Sequence, residues 1–195
     1  MYEYINGILT VKNLEYVCID IMGLGYLIYI PFKTHEKLVN INEKEKLYIY
    51  TNVKEDDIRL YGFKTKDERD IFVKTISVSG VGPKIALSIL SVFTPSEIAG
   101  IVKSDEYKIL SKVPGLGVKK AQKLIIELKD KLNDFEVDTL GFEVHIIKNE
   151  LKLALESLGY NKIKIEDYIS DDEIKTINNS GILMKEILKK ISNKK

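Results

Sequence analysis

The sequence is poor in the residues that mark secreted, membrane and redox proteins. Its 195 residues contain one cysteine, Cys18, no tryptophan and four prolines. A single cysteine cannot close an internal disulfide, which favours a reducing compartment. No stretch approaches the about 18 uncharged apolar residues that a membrane span needs. The first ten residues lack the basic start and apolar block of a signal peptide. We therefore expect a soluble, cytoplasmic protein.

Signatures of catalysis and of cofactor binding are also scarce. The two histidines are isolated in the sequence, so neither is expected to serve a metal or a reaction. The Gly-x-Gly segments lack the third glycine and the preceding strand of a dinucleotide-binding fingerprint. No Gly-Lys-Ser/Thr phosphate loop occurs. We expect no cofactor and no metal.

Residues 1–63 are typical of a small β-barrel. They contain short runs rich in β-branched and aromatic residues, with a short helix predicted between them at 34–40. About five strands in about 60 residues suggest a barrel, of which the OB type is one candidate. The strands located by pattern lie at 14–23, 24–32, 46–53 and 57–63.

Residues 64–132 are typical of packed helices and carry a positive charge. Capping boxes are predicted at Thr65 with Glu68 and at Thr94 with Glu97. The segment holds 13 Lys and Arg against 8 Asp and Glu, a net of +5, while the whole chain is +1. A local cationic surface attracts polyanions even when the chain is nearly neutral.

The remainder of the chain divides into a linker and a small domain. Residues 133–145 lose the helical pattern and are interpreted as a flexible linker. Residues 146–195 contain amphipathic helices at 150–160 and 182–191, with a shorter candidate between them. The predicted fold class is thus multidomain α+β, with a barrel, a central all-α domain and a small three-helix domain.

One short phrase occurs twice in the central segment. VSGVGPKIA at 78–86 and VPGLGVKKA at 113–121 align without a gap at an offset of 35, and each is flanked by amphipathic helices. Glycines permit a tight turn with positive φ. The backbone amides then meet the positive end of the second helix, which makes an anion site. The alternative is that both are merely tight turns between helices. Their repetition with lysines favours two grips on duplex phosphates, made without reading bases.

Three consecutive carboxylates, Glu55 to Asp57, lie between two predicted strands. Such a tip is ordinarily a solvated turn. Metal binding is a weaker alternative, because the tip has no further ligands nearby in sequence.

These segments together resemble the RuvA family of bacterial Holliday-junction branch migration proteins. The resemblance is carried by VKEDDIRLYGFKTKDERDIF (53–72), SVSGVGPKIALSILS (77–91), LSKVPGLGVKKAQKLIIELKD (110–130), Gly7 and MGLGY (22–26). It covers residues 1–132 well and 146–195 in character only. It implies an OB-type barrel (1–63), a tandem helix-hairpin-helix domain (64–132), a linker (133–145) and a three-helix domain (146–195).

The resemblance also implies a function without catalysis. Four subunits, or eight on DNA, would hold a four-way junction open and square-planar. The third domain would recruit the RuvB ATPase, and the RuvC resolvase is a further implied partner. Residues expected to bind DNA phosphates are Ser79, Gly80, Gly82, Lys84, Gly115, Gly117, Lys119, Lys120 and Lys123. The implied acidic pin is Glu55 and Asp56. The motor contact is assigned to Leu153, Leu155 and Leu158, although core packing is the favoured interpretation for most of these leucines.

The sequence departs from the family at Val118, where many relatives have a lysine or arginine. The rival functions are a helix-hairpin-helix glycosylase or nuclease and a single-strand binder built on the barrel. A glycosylase would need an aspartate shortly after the hairpin helix, and TPSE and KDKL do not supply it. A single-strand binder would need a basic barrel, but residues 1–63 are net −2.

Overall fold

The computed structural model of the chain describes residues 1–132, 135, 139–160 and 163–192. The chain divides into two compact units, residues 1–135 and 136–195. The first unit contains the strands and the helices up to residue 129, and the second contains the remaining helices.

The strands of residues 4–63 close into a barrel in the order β1-β2-β3-β5-β4. All neighbouring pairs are antiparallel except β3 with β5. Ile5, Leu9, Ile19, Ile28 and Leu47 fill the interior. The predicted OB-type barrel is confirmed. Its elements are β1 (Tyr4–Lys12), β2 (Tyr16–Ile21), β3 (Leu24–Tyr29), α1 (Phe32–Glu36), β4 (Lys44–Val53) and β5 (Ile58–Phe63).

Strand β1 was not located from the sequence, because Gly7 interrupts its pattern with a residue of low strand propensity. The structure gives the reason for that glycine. A Cβ at Gly7 would lie 2.2 Å from the carbonyl oxygen of Asp20 on β2. The two strands approach so closely that only glycine fits between them.

The helices of the first unit follow the barrel directly. Thr94 and Glu97 form the predicted capping box at the start of α4. Asp105 adopts a left-handed φ of 57°, and the short helix α5 begins after it at Tyr107. The helices are α2 (Lys66–Ile76), α3 (Pro83–Val92), α4 (Pro95–Lys103), α5 (Tyr107–Leu110) and α6 (Val118–Lys129).

The capping box predicted at Thr65 and Glu68 forms only in part. Thr65 accepts a hydrogen bond from the Glu68 backbone amide at 3.2 Å. The Glu68 carboxylate does not return to the Thr65 amide. It is buried and bonds Thr34, Lys37 and the Lys64 amide, because the neighbouring barrel offers three donors where an isolated helix would offer one.

The second unit is helical, as predicted for residues 146–195. Its elements are α7 (Thr139–Ser157), a 3-10 turn (Ile165–Asp167), α8 (Asp171–Ile177) and α9 (Ser180–Ser192), packed around Leu151, Leu155, Ile174, Leu183 and Ile187. Helix α7 begins at Thr139, so the last residues of the segment predicted as a linker at 133–145 are helical. Most of the earlier linker residues lie outside the described residues.

In the described part of the chain, no single helix is long and apolar enough to cross a membrane. Only α3 and α4 taken together reach the required length and composition, and they are bent by 98° at their junction.

Candidate nucleic-acid interface

The first glycine turn, residues 77–82, joins α2 to α3 and is called the first hairpin. The amide of Val78 donates to the Thr75 carbonyl at 3.2 Å, and Val81 donates to Val78 at 3.0 Å. Gly80 has a φ of 86°, a conformation that residues with a side chain rarely adopt. The chain thereby reverses within a few residues and enters α3.

The second glycine turn, residues 112–117, joins α5 to α6 and repeats this bonding at an offset of 35. Val113 donates to Leu110 at 3.0 Å, and Leu116 donates to Val113 at 3.0 Å. Gly115 has a φ of 82°, close to that of Gly80. The repeated phrase therefore forms two turns of the same backbone geometry, as the sequence predicts.

The apolar side chains of both hairpins are turned inward. They are buried, as is the alanine that follows in each helix: Val78, Val81, Ala86, Val113, Leu116 and Ala121. Since these side chains anchor the turns to the core, the turn backbones lie at the surface.

The second glycine of each hairpin has a different role from the first. Gly82 and Gly117 are the N-caps of α3 and α6, with extended backbones that any residue can adopt. A Cβ at either would meet nothing within 4 Å. Neither the fold nor its packing therefore requires glycine there.

Helix geometry leaves the first amide groups of α3 and α6 without partners inside the helix. No side chain caps either helix. These amides and the positive helix ends make both turns suited to bind an anion. The two turns differ at the first helical residue, which is Pro83 in α3 and Val118 in α6. Proline has no amide hydrogen, and the Ile85 amide already donates to the Gly82 carbonyl at 3.1 Å. Helix α6 therefore offers more free amide donors than α3.

The predicted lysines surround these helix ends. Lys84, Lys119, Lys120 and Lys123 are exposed, as is Ser79 before the first glycine. Lys123 lies 3.6 Å from Glu127 in an i,i+4 pair, so part of its charge is offset. Val118, where the sequence departs from the resemblance, is 52% exposed.

The acidic tip, defined as Glu55 and Asp56, lies in the turn between β4 and β5. The Lys54 amide donates to the Asp57 carbonyl at 2.8 Å and closes the turn. Both residues of the tip are exposed, whereas Asp57 is half-buried and pairs with Arg59. Their hydrogen bond raises the pKa of the Arg59 guanidinium. The tip therefore presents two free carboxylates rather than three.

Barrel residues join the first hairpin in a shallow cleft that the sequence did not reveal. The cleft has a volume of about 300 Å³, and its polar lining comes from Asn52, Lys54, Arg59 and Lys84. It places Lys54 and Arg59, which flank the acidic tip in sequence, beside Lys84. The sequence shows only that Arg59 follows the three carboxylates in a predicted strand. It does not show that Arg59 lies beside Lys84.

The leucines assigned to a motor contact separate into two groups. Leu155 is 2% exposed and belongs to the core of the second unit, so core packing holds there and a surface contact does not. It lies on the inward stripe of α7. Leu153 and Leu158 are 52% and 57% exposed.

Among the described residues, no three His, Cys, Asp or Glu side chains are grouped closely enough to hold a metal ion.

Comparisons with known proteins agree with this arrangement. Residues 1–62 match the family model for the RuvA N terminal domain. Residues 72–130 match the model for a SAM-like helix-hairpin-helix tandem, which spans both hairpins.

Three curated relatives are similar along nearly their whole length. The protein from Fusobacterium nucleatum is 38% identical over 192 residues, covering 97% of each chain. That from Thermoanaerobacter pseudethanolicus is 41% identical over 194 residues, covering 98% of this chain and 99% of the relative. That from Geobacter metallireducens is 34% identical over 195 residues, covering 97% and 98%. Each is named Holliday junction branch migration complex subunit RuvA.

Proposed function

The chain belongs to the RuvA family, and from that premise we propose that it binds four-way (Holliday) junction DNA and recruits the RuvB ATPase for branch migration. Its place would be in recombination and DNA repair. The observation that carries this proposal is the pair of equivalent glycine hairpins, each opening a helix beside exposed lysines, in the same compact unit as an acidic tip.

The hairpins would grip the phosphates of the junction arms. Gly80 and Gly115 shape the turns, while Gly82 and Gly117 leave room for a phosphate to approach the backbone amides. Lys84, Lys119, Lys120 and Lys123 add charge around those amides, and Ser79 adds a hydroxyl. Backbone amides recognise phosphates regardless of base, so this grip positions DNA of any sequence. Two equivalent grips can hold the two strands of one duplex across a groove.

The acidic tip would give the preference for a junction. Glu55 and Asp56 carry free carboxylates, which repel phosphates. In a homotetramer, four such tips would surround the central axis, where the strands of an open junction exchange. A continuous duplex would bring its phosphates against the tips, whereas an open junction leaves space at its centre. Repulsion of the wrong ligand then contributes to specificity.

Fourfold assembly is part of the proposal. One tetramer would hold one face of the junction, and a second could cover the other face as an octamer. The protein would act in the cytoplasm, and the RuvC resolvase would share the same DNA. Lys54 and Arg59 line one cleft together with Lys84, so the strands that carry the tip lie beside the first hairpin.

The protein is proposed as the non-catalytic subunit of the complex, with ATP hydrolysis in RuvB. The second unit would make the motor contact. Leu153 and Leu158 are the contact residues that the family resemblance implies, and both side chains are exposed. Leu155 is excluded from this surface by its burial.

A branch migration assay tests this function. A synthetic junction with homologous arms is incubated with the protein, with RuvB from a relative, and with both, each with and without ATP. We expect the junction to resolve into two duplexes only when both proteins and ATP are present, with every strand intact. Strand cleavage in magnesium, or no effect of the protein on RuvB, would contradict the proposal.

A further inference from the structure

Two buried carboxylates lie where the barrel meets the first helix of the helical part. Glu45 on β4 is 3% exposed and Glu68 on α2 is 4% exposed. Acidic side chains are almost never buried unless they are paired. Neither residue belongs to the hairpins or to the acidic tip, so the DNA-binding role does not explain them.

Glu68 accepts hydrogen bonds from two residues of the barrel domain and from the segment that connects the barrel to α2. Its Oε2 accepts from the Thr34 hydroxyl at 3.0 Å and from the Lys64 amide at 2.9 Å. Its Oε1 accepts from Lys37 Nζ at 3.0 Å. Thr34 is fully buried and lies on α1, between β3 and β4. The first turn of α2 is thus bonded to a distant part of the barrel.

Glu45 bonds the segment that connects the barrel to α2. Lys64 Nζ donates to both of its oxygens, at 2.7 and 2.9 Å. The amides of Val39 and Lys46 also donate to it, at 3.2 and 2.8 Å. Lys64 therefore joins both carboxylates, with its side chain on Glu45 and its amide on Glu68. We call Glu45, Lys64 and Glu68 the joint network.

Apolar packing also holds α2 against the barrel. Phe72 packs against Phe63, Tyr61 and Tyr50, with ring centroids 4.9, 5.2 and 5.5 Å apart. Such packing supplies most of the attraction but is not directional. Hydrogen bonds to buried charges require one geometry, and buried ion pairs contribute little net stability. The joint network is therefore better suited to fix an orientation than to stabilise the contact.

The orientation matters because one continuous path links the tip to the first hairpin. Strand β5 runs from the tip to Phe63, Lys64 follows, and α2 leads into residues 77–82. Six residues of strand span about 20 Å, so a rotation of about 10° at Lys64 would move the tip by about 3.5 Å. That displacement exceeds the length of a hydrogen bond.

We propose that the joint network sets the junction selectivity of the protein, by holding the acidic tip in register with the phosphate-binding hairpins. These are positioning residues and do not touch DNA. The inference rests on the proposed function. A duplex binds through the hairpins and is repelled by the tip, whereas an open junction engages the hairpins while the tips lie in the space at its centre.

The test compares Glu68→Gln with Asp67→Asn in the full chain. All partners of the Glu68 carboxylate are donors. The NH2 group of glutamine would therefore face a donor in either orientation of the side chain, and at least one hydrogen bond would be lost. Asp67 is adjacent, exposed and outside the network, and its variant makes the same charge change. Thr34→Val removes one partner at constant shape and serves as a second variant if Glu68→Gln folds poorly.

Affinities for a four-way junction and for a linear duplex with the same arm sequence are measured by fluorescence anisotropy. If only a tenth of the Glu68→Gln molecules keep the register, junction affinity falls about tenfold. Duplex affinity rises towards that of the variant with a neutral tip, because a displaced tip no longer repels the duplex. Thr34→Val should shift the ratio in the same direction but less. Asp67→Asn should keep the wild-type ratio.

A distance measurement separates positioning from stability. Spin labels at Met22→Cys and Lys103→Cys, in a Cys18→Ser background, report the separation of the barrel and α4. Both positions are exposed. We expect a broader distance distribution in Glu68→Gln and an unchanged one in Asp67→Asn.

The inference is overturned if Glu68→Gln keeps its selectivity, if both DNA affinities fall equally, or if the distance distribution does not change. Equal binding of both DNAs by the wild type would instead overturn the proposed function. The spin-label result would still decide whether the joint network fixes the orientation of the barrel relative to the helices.

Discussion

Replacing Gly82 with serine should separate DNA binding from folding. Gly82 is the N-cap of α3, with φ −92° and ψ 174°. Serine can adopt this backbone without strain, and its Cβ would meet no atom within 4 Å. The serine hydroxyl can accept a hydrogen bond from an amide of the first turn, which the glycine cannot do. The free protein therefore gains a cap and loses no contact.

The two expected effects have opposite signs. A serine cap is worth a few tenths of a kcal/mol over glycine, so the free energy of unfolding should rise by about 0.3 kcal/mol. The hydroxyl and Cβ occupy the space through which a phosphate reaches the amides. A hydrogen bond to a charged group is worth about 1.5–3 kcal/mol, so the dissociation constant should rise by roughly ten- to a hundredfold.

Denaturant unfolding followed by tyrosine fluorescence gives the free energy of unfolding, since most of the tyrosines lie in residues 1–135 and there is no tryptophan. Anisotropy with a labelled junction gives the dissociation constant. Gly80→Ala is the matched control, because its φ of 86° makes any side chain cost about 1 kcal/mol in the free protein. Wild-type DNA affinity in Gly82→Ser would refute the argument, and so would a loss of stability as large as that of Gly80→Ala.

Further predictions concern the cations, the tip and the second unit. Lys84→Gln should weaken binding to all sequences alike and lower the slope of log K against log salt by about one; an unchanged slope in a salt titration would remove Lys84 from the phosphate contacts. Glu55→Gln combined with Asp56→Asn should tighten duplex binding by about 1 kcal/mol, or roughly fivefold; equal duplex affinity in a gel shift would contradict the repulsion. Leu158→Ser should lower RuvB-dependent branch migration at unchanged junction affinity, whereas Leu155→Ala should destabilise the second unit by about 2–5 kcal/mol in a thermal melt. Full branch migration by Leu158→Ser would exclude that leucine from the motor contact.

The fold was largely predictable because its local patterns agree with its packing. Alternating apolar residues locate four of the strands, and the capping box of Thr94 and Glu97 marks a helix start that the structure has. Strand β1 was missed because glycine has a low strand propensity. Gly7 is needed there because the backbone of Asp20 on β2 lies too close for a side chain, and strand propensity does not include such a contact. The start of α7 was placed too late, although Val144 and Ile147 continue the buried stripe of Leu151 and Leu155 towards the beginning of the helix.

The candidate site was predictable only where it is local in sequence. Each hairpin lies within one short phrase, so its repetition could be read directly. The cleft beside Lys84 could not, because Arg59 is far from it in the chain and reaches it only when the barrel closes. The spacing of Glu68 from Thr65 predicts a capping residue. The sequence does not show that Thr34 and Lys37, which are distant in the chain, lie close enough to donate to Glu68. The sequence does not distinguish Leu155 from Leu158, but in the structure Leu155 is buried and Leu158 is exposed.

Competition between a four-way junction and a linear duplex tests the central claim most directly. The labelled junction is bound at physiological salt and challenged with unlabelled duplex of the same arm sequence, in magnesium, with the strands then examined under denaturing conditions. The account predicts that a roughly hundredfold excess of duplex leaves the complex intact and that no strand is cut. Displacement by equimolar duplex, or cleavage of either DNA, would contradict it.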